Sequence, residues 1–166
     1  QLKKISSQYP ELSFIFLYKT TFITASIFSF SRRKLHTYLQ QYPSYTLIAR
    51  GPLASYLCLH AAQKTNCSEL IIQARGLLAE EYRFSHKDET NIFMRIIKRW
   101  RAQQYEKIEK WVYGKQRQIT FPVTIESVSD ALQEYLTRHY HAGRNCFSIA
   151  NYDIPAPISY ELIKQW

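Results

Sequence analysis

Short apolar runs alternate along this chain with longer segments of helical periodicity, and this alternation restricts the possible folds more than any other feature. It is typical of βαβ units, in which a parallel sheet is covered by its connecting helices. The predicted strands are residues 12–18, 45–49, 70–74, 119–128 and 147–150. The sequence therefore predicts an α/β fold with a mostly parallel sheet of four or five strands.

The segments between these strands predict helices at residues 21–41, 53–64, 91–113 and 129–140, whereas the charged residues 80–90 read as an exposed connection. Pro122 cannot donate a hydrogen bond within a sheet, so we expect an irregular strand there or one partly at an edge. Trp100 and Trp111 lie in the longest predicted helix, among many basic residues. We expect both to face the core, although such a helix can also lie on an anionic membrane or along a phosphate backbone.

The charge of the chain favours anionic partners. In 166 residues, 22 Lys and Arg outnumber 13 Asp and Glu, for a net charge of +9. Three separated cysteines indicate neither a disulfide framework nor a zinc ribbon, which suits a reducing cytoplasm. The chain has neither a Walker loop nor a GxGxxG motif, so we expect no cofactor, and we expect no metal site.

The phrase Ala-Arg-Gly occurs twice, at residues 49–51 and 74–76, each time at the carboxyl end of a predicted strand. Parallel α/β sheets bind ligands beyond these strand ends, where glycine allows a sharp turn. An arginine there either grips a phosphate or carboxylate or braces the loop through an ion pair, for example between Arg75 and a following glutamate. The candidate site residues from this phrase are Arg50, Gly51, Arg75 and Gly76.

Three further residues are candidates at the same edge. Glu80 and Glu81 can bind hydroxyl groups or act as a base, or they can be solvated acids at the start of a helix. Ser129 can contact a ligand at a strand end, but capping of the next helix accounts for it fully.

Three stretches in order resemble the N-terminal, acceptor-side domain of glycosyltransferase family 4, a GT-B family. They are residues 71–81 (IIQARGLLAEE), 125–136 (IESVSDALQEYL) and 146–153 (CFSIANYD). With the elements that precede them, the likeness spans residues 45–153. The resemblance implies a Rossmann-like three-layer domain that forms part of a GT-B fold.

The same resemblance implies the function. In such enzymes a second domain holds the nucleotide-sugar donor, and the first domain receives a lipid-linked or polysaccharide acceptor. We expect residues 1–166 to form a single partial domain that lacks the family's first strand with its glycine-rich loop and the donor domain, and is inactive alone. Location in the cytoplasm, peripheral at the inner membrane face, would fit these partners. The alternative is a non-enzymatic basic α/β module that binds nucleic acid or a protein partner. For the transferase itself we do not expect nucleic acid as a partner.

Overall fold

The computed structural model describes residues 25–114, 119–143 and 145–149, so the predicted strand at residues 12–18 lies outside the described residues. The elements are α1 (Ala25–Leu39), β1 (Tyr45–Arg50), α2 (Gly51–Ala62), β2 (Cys67–Ala74), α3 (Leu78–Ser85), α4 (Ile92–Gly114), β3 (Val123–Ser127), α5 (Asp130–Tyr140) and β4 (Cys146–Ser148). Strands and helices therefore alternate as the sequence predicts.

The four strands form one sheet in the order β1-β2-β3-β4, and every neighbouring pair is parallel. Helix α2 contacts β1 and β2, α5 contacts β3 and β4, and α4 packs against both helices. Because crossovers between parallel strands are right-handed as a rule, connections between successive strands in this order place these helices on one face of the sheet. The α/β class with a parallel sheet flanked by helices is confirmed. Among the described residues the helices that contact the sheet form one layer on it, which is consistent with part of a Rossmann-like three-layer domain.

The core lies between the sheet and these helices. Strand residues such as Leu70, Ile72 and Ile125 are fully buried there, and their neighbours in sequence point to the opposite face, because side chains alternate along a strand. The apolar cluster reaches Leu59 in α2 and Leu136 in α5.

Three expectations from the sequence are wrong. Part of the expected connection at residues 80–90 is helical, as the last six residues of α3. Pro122 precedes β3 instead of interrupting it, and its carbonyl accepts a hydrogen bond from the Leu70 amide at 3.0 Å, so β3 is a regular central strand. Trp100 is exposed, because the buried residues of α4 begin only at Ala102.

Trp111 does face the interior, as expected, and it joins α4 to α2. Its ring stacks on His60 with centroids 4.4 Å apart and planes 10° apart, and Tyr56 meets both rings edge-on. Burial lowers the pKa of His60, and the charge of Arg32 lowers it further, so the stacked imidazole is neutral near pH 7.

A buried carboxylate ties α3, α4 and α5 together. Glu109 of α4 is fully buried, and its Oε1 atom accepts a hydrogen bond from the Ala79 amide at 3.4 Å, in the first turn of α3. Its Oε2 atom accepts from the Tyr140 hydroxyl at 3.0 Å, at the end of α5. The residue before α3, Leu77, has no capping side chain, so Glu109 serves as its cap from a distant part of the sequence.

Burial raises the pKa of Glu109, although its hydrogen bonds act in the opposite direction. In the unfolded chain a glutamate ionises near pH 4.3. As pH rises above that value, the folded state retains the proton longer than the unfolded state does. This group therefore lowers the free energy of unfolding as pH rises through its raised pKa.

We predict that Glu109→Gln removes this decline in the free energy of unfolding, measured by urea denaturation across the acidic to neutral range. The matched control is Glu134→Gln, on the exposed surface of α5, which should retain the pH profile of the native chain. Identical pH profiles for Glu109→Gln and the native chain would contradict the assignment.

Two stacked tyrosines provide a second test of the hydrogen bonding around Glu109. The ring centroids of Tyr113 and Tyr140 are 5.9 Å apart and the ring planes are nearly parallel, and both residues are buried. The Tyr140 hydroxyl donates to Glu109, whereas the Tyr113 hydroxyl has no partner among the described residues.

We predict that Tyr140→Phe lowers the free energy of unfolding by about 1 kcal/mol, because it removes a hydrogen bond and leaves a carboxylate oxygen short of a donor. Tyr113→Phe should leave this free energy unchanged or raise it slightly, because its hydroxyl is buried without compensation. Thermal or urea denaturation of the pair measures the difference, and equal losses in both variants would contradict it.

Candidate functional site

The carboxyl edge of the sheet brings polar residues of three strands into one row. Arg50 of β1 lies opposite Gln73 of β2, and Gln73 lies opposite Glu126 of β3. The Gln73 side-chain amide donates to the Glu126 carboxylate at 3.2 Å. The row lies on the face of the sheet opposite the helical layer, where its side chains are exposed or half-buried.

A shallow pocket of about 180 Å³ opens beside this row. Arg75 lines it together with Gln73, Glu126, Ser127, Val128 and Ile149. The pocket thus offers a guanidinium, a carboxylate and a carboxamide beside two apolar groups. A guanidinium can hold a phosphate or carboxylate, and the other two polar groups can bind hydroxyls.

Arg50 and Gly51 form the turn from β1 into α2. Gly51 has a positive φ of 78°, which residues with a side chain rarely adopt. A Cβ atom there would meet no other atom within 4 Å. Backbone conformation, not space, therefore requires glycine at this position. Arg50 is exposed next to the turn, and no ion pair involves it in the described ranges.

The loop after β2 carries Arg75, Gly76 and Glu81. A Cβ atom on Gly76 would lie 2.0 Å from the Oε1 atom of Glu81, so the absence of a side chain lets this carboxylate approach the strand end. Arg75 is exposed and forms no ion pair with any described residue, so of the two alternatives for this arginine the ion pair with Glu80 or Glu81 is not formed. Its guanidinium is available to a ligand.

Glu80 belongs to a different contact. Its carboxylate forms an ion pair with Arg83, which also binds Glu106 of α4 at 2.5 Å. The side chain therefore serves the contact between α3 and α4 and does not line the pocket.

Ser129 caps α5, as its position in the sequence predicts: its hydroxyl accepts a hydrogen bond from the Leu132 amide at 3.2 Å. Buried Ser127, two residues earlier, donates to the Ser129 carbonyl at 3.0 Å and fixes the loop at the pocket. Of the predicted site residues, the structure places Arg75 in the pocket, Arg50, Gly51, Gly76 and Glu81 at the same edge of the sheet, and Ser129 in the adjoining loop.

Sequence reasoning missed Gln73 and Glu126 as site residues. Each is a polar residue near the end of an otherwise apolar strand pattern, and this signal was present in the sequence. Their pairing depends on the register between β2 and β3, which a single strand pattern does not reveal.

Within residues 25–114, 119–143 and 145–149, no helix is long and apolar enough to cross a membrane, and no three His, Cys, Asp or Glu side chains cluster as metal ligands would. Comparisons with protein-family models, with curated proteins and with solved structures give no match for this chain. The fold and the pocket define an α/β parallel-sheet domain with a candidate ligand site at the carboxyl edge of its strands.

The same substitution should have effects of different size at the two glycines of the site. We predict that Gly51→Ala lowers the free energy of unfolding by about 1–2 kcal/mol, because a Cβ atom disfavours positive φ. Gly76→Ala should change stability less, because only the flexible end of Glu81 must move. Urea denaturation of both variants measures this, and a larger loss in Gly76→Ala would contradict the account of the two turns.

Proposed function

We propose that this domain is the acceptor-side part of a glycosyltransferase that moves a sugar from a nucleotide-sugar to a lipid-linked or polysaccharide acceptor in cell-surface glycan synthesis. The observation that carries the proposal is the pocket beside Arg75, at the carboxyl edge of the parallel strands. In open α/β sheets this edge is the usual place for a ligand.

The chemistry of the pocket supports a ligand that combines hydroxyl groups with negative charge. The Arg75 guanidinium suits a phosphate, and the paired side chains of Gln73 and Glu126 suit sugar hydroxyls. Arg50 lies in register with Gln73 at the same edge and extends the positive region toward β1. Phosphorylated or lipid-linked sugars have this combination of groups.

The size of the pocket supports a shared cleft. Its volume of about 180 Å³ is below the range of about 300–1,000 Å³ that is usual for small-molecule sites. In the proposed enzyme a second domain holds the nucleotide-sugar and completes the cleft, and the residues of this chain bind and orient the acceptor. The enzyme would work in the cytoplasm, peripherally at the inner face of the membrane.

We predict that Arg75→Gln, made in the protein expressed from its complete reading frame, raises the KM for the acceptor. The expected increase is about tenfold, because that factor corresponds to the loss of one charge-assisted hydrogen bond. The KM for the donor should not change, because the proposed donor site lies on the other domain. Steady-state assays of nucleotide release, with panels of nucleotide-sugars and of lipid-linked and glycan acceptors, measure both values.

The control is Arg138→Gln, which removes an equal charge from an exposed ion pair on α5 and should leave both KM values unchanged. Sugar transfer by residues 1–166 alone would contradict the division of labour between two domains. Absence of transfer with every donor, together with salt-dependent binding of nucleic acid, would instead support the non-enzymatic basic module.

A further inference from the structure

Four large apolar side chains in the first half of α4 are more than half exposed. Ile92 is 66% exposed, Phe93 71%, Ile96 61% and Trp100 57%. At about 100° per residue, these positions fall within one arc of the helix, so they form a continuous ridge. Exposed apolar surface of this kind marks an interaction site more often than an isolated exposed residue does.

A basic pocket of about 470 Å³ lies between α3 and α4, beside this ridge. Lys87, Arg95 and Arg99 line it, and none of them forms an ion pair with another described residue. Arg83 and Lys98 also line the pocket, but their charges are partly offset by ion pairs with Glu80 and Glu106 and with Glu89, respectively. The pocket therefore retains an excess of positive charge.

The arrangement of Arg95 and Arg99 opposes helix stability. They are four residues apart on one face of α4, a spacing at which like charges repel each other. The first turn of α4 carries no acidic residue that would favour the positive end of the helix dipole. A bound anion would relieve the repulsion between these two guanidinium groups.

Ridge and pocket adjoin on the same helix. On the helical wheel Arg99 lies only about 20° from Ile92, just outside the apolar arc, and Arg95 lies beyond it on the same side. The guanidinium groups therefore border the apolar arc. An apolar arc edged by Arg and Lys is the pattern of helices that lie in the interface of an anionic membrane. Nucleic acid would use the charges and could stack on Trp100, but it offers no apolar medium for Ile92 and Ile96.

We propose that the first half of α4 docks on an anionic membrane surface, with the ridge among the acyl chains and a lipid phosphate in the pocket beside Arg95 and Arg99. This surface consists of helices, whereas the candidate acceptor pocket lies at the sheet edge. The proposal therefore does not depend on transferase activity, and the two can fail separately.

The test is co-sedimentation of the chain with vesicles of phosphatidylcholine alone or of equal parts phosphatidylcholine and phosphatidylglycerol. We expect binding to the anionic vesicles only, weakened by added salt, because ions screen the surface potential. Trp100 should enter the apolar phase, so the tryptophan emission should shift to shorter wavelength. Trp100→Phe should abolish the shift while most of the binding remains.

Two double variants separate the charges from the ridge. Arg95→Gln with Arg99→Gln should lower the partition coefficient about 10- to 30-fold, because each basic residue near an anionic surface contributes about 1 kcal/mol. Phe93→Ser with Ile96→Ser should lower it at least as much, because two apolar side chains no longer leave water. All four residues are exposed, so the substitutions should not disturb the core. An unchanged circular dichroism spectrum verifies that the variants fold.

The matched control is Arg33→Gln with Arg138→Gln, which removes the same charge from exposed positions outside the pocket and should change binding little. An equal loss of binding in this control would overturn the proposal, because binding would then follow net charge alone. Absence of binding to anionic vesicles would also overturn it, including the case in which inorganic phosphate or nucleic acid binds at Arg95 and Arg99.

Discussion

The Glu109 carboxylate holds three helices in fixed positions, and both proposed surfaces depend on it. Its bond to the Ala79 amide anchors the start of α3, and its bond to the Tyr140 hydroxyl anchors the end of α5. The start of α3 follows directly from the Gly76 loop at the sheet edge, and α3 is also one wall of the basic pocket. A buried polar group of this kind stabilises only when its partners are present, so it favours a single arrangement of these helices.

The parallel sheet explains why the candidate acceptor site lies where it does. Each crossover returns the chain to the same end of the sheet, so the carboxyl ends of all four strands meet at one edge. Gln73 and Glu126 then become neighbours although 53 residues separate them. Arg75, just beyond the end of β2, faces the same pocket. Ligand-binding groups therefore come together through topology, not through a local motif.

The sequence was sufficient to predict the alternation of strands and helices, since the strands Tyr45–Arg50 and Cys67–Ala74 each contain a short apolar run, LIA and LII respectively. The Ser129 cap and the sharp turn at Gly51 were also predictable, because local conformation determines them. The exposure of Trp100 was not predictable, because the periodicity of a helix does not reveal which of its turns other elements cover. The bond between Glu109 and Ala79 joins residues 30 positions apart, and no local rule predicts it. The assignment to glycosyltransferases remains a proposal that the ordered phrases and the pocket support.

Nuclear magnetic resonance shows directly whether the carboxyl edge of the sheet binds a phosphorylated sugar. The backbone amide signals of the chain would be followed during titration with glucose 1-phosphate. We expect saturable shifts at Gly76 and at residues 126–129, and weaker binding in the Arg75→Gln variant. Shifts confined to α3 and α4, or the absence of any shift at the sheet edge, would contradict the proposed site at this edge.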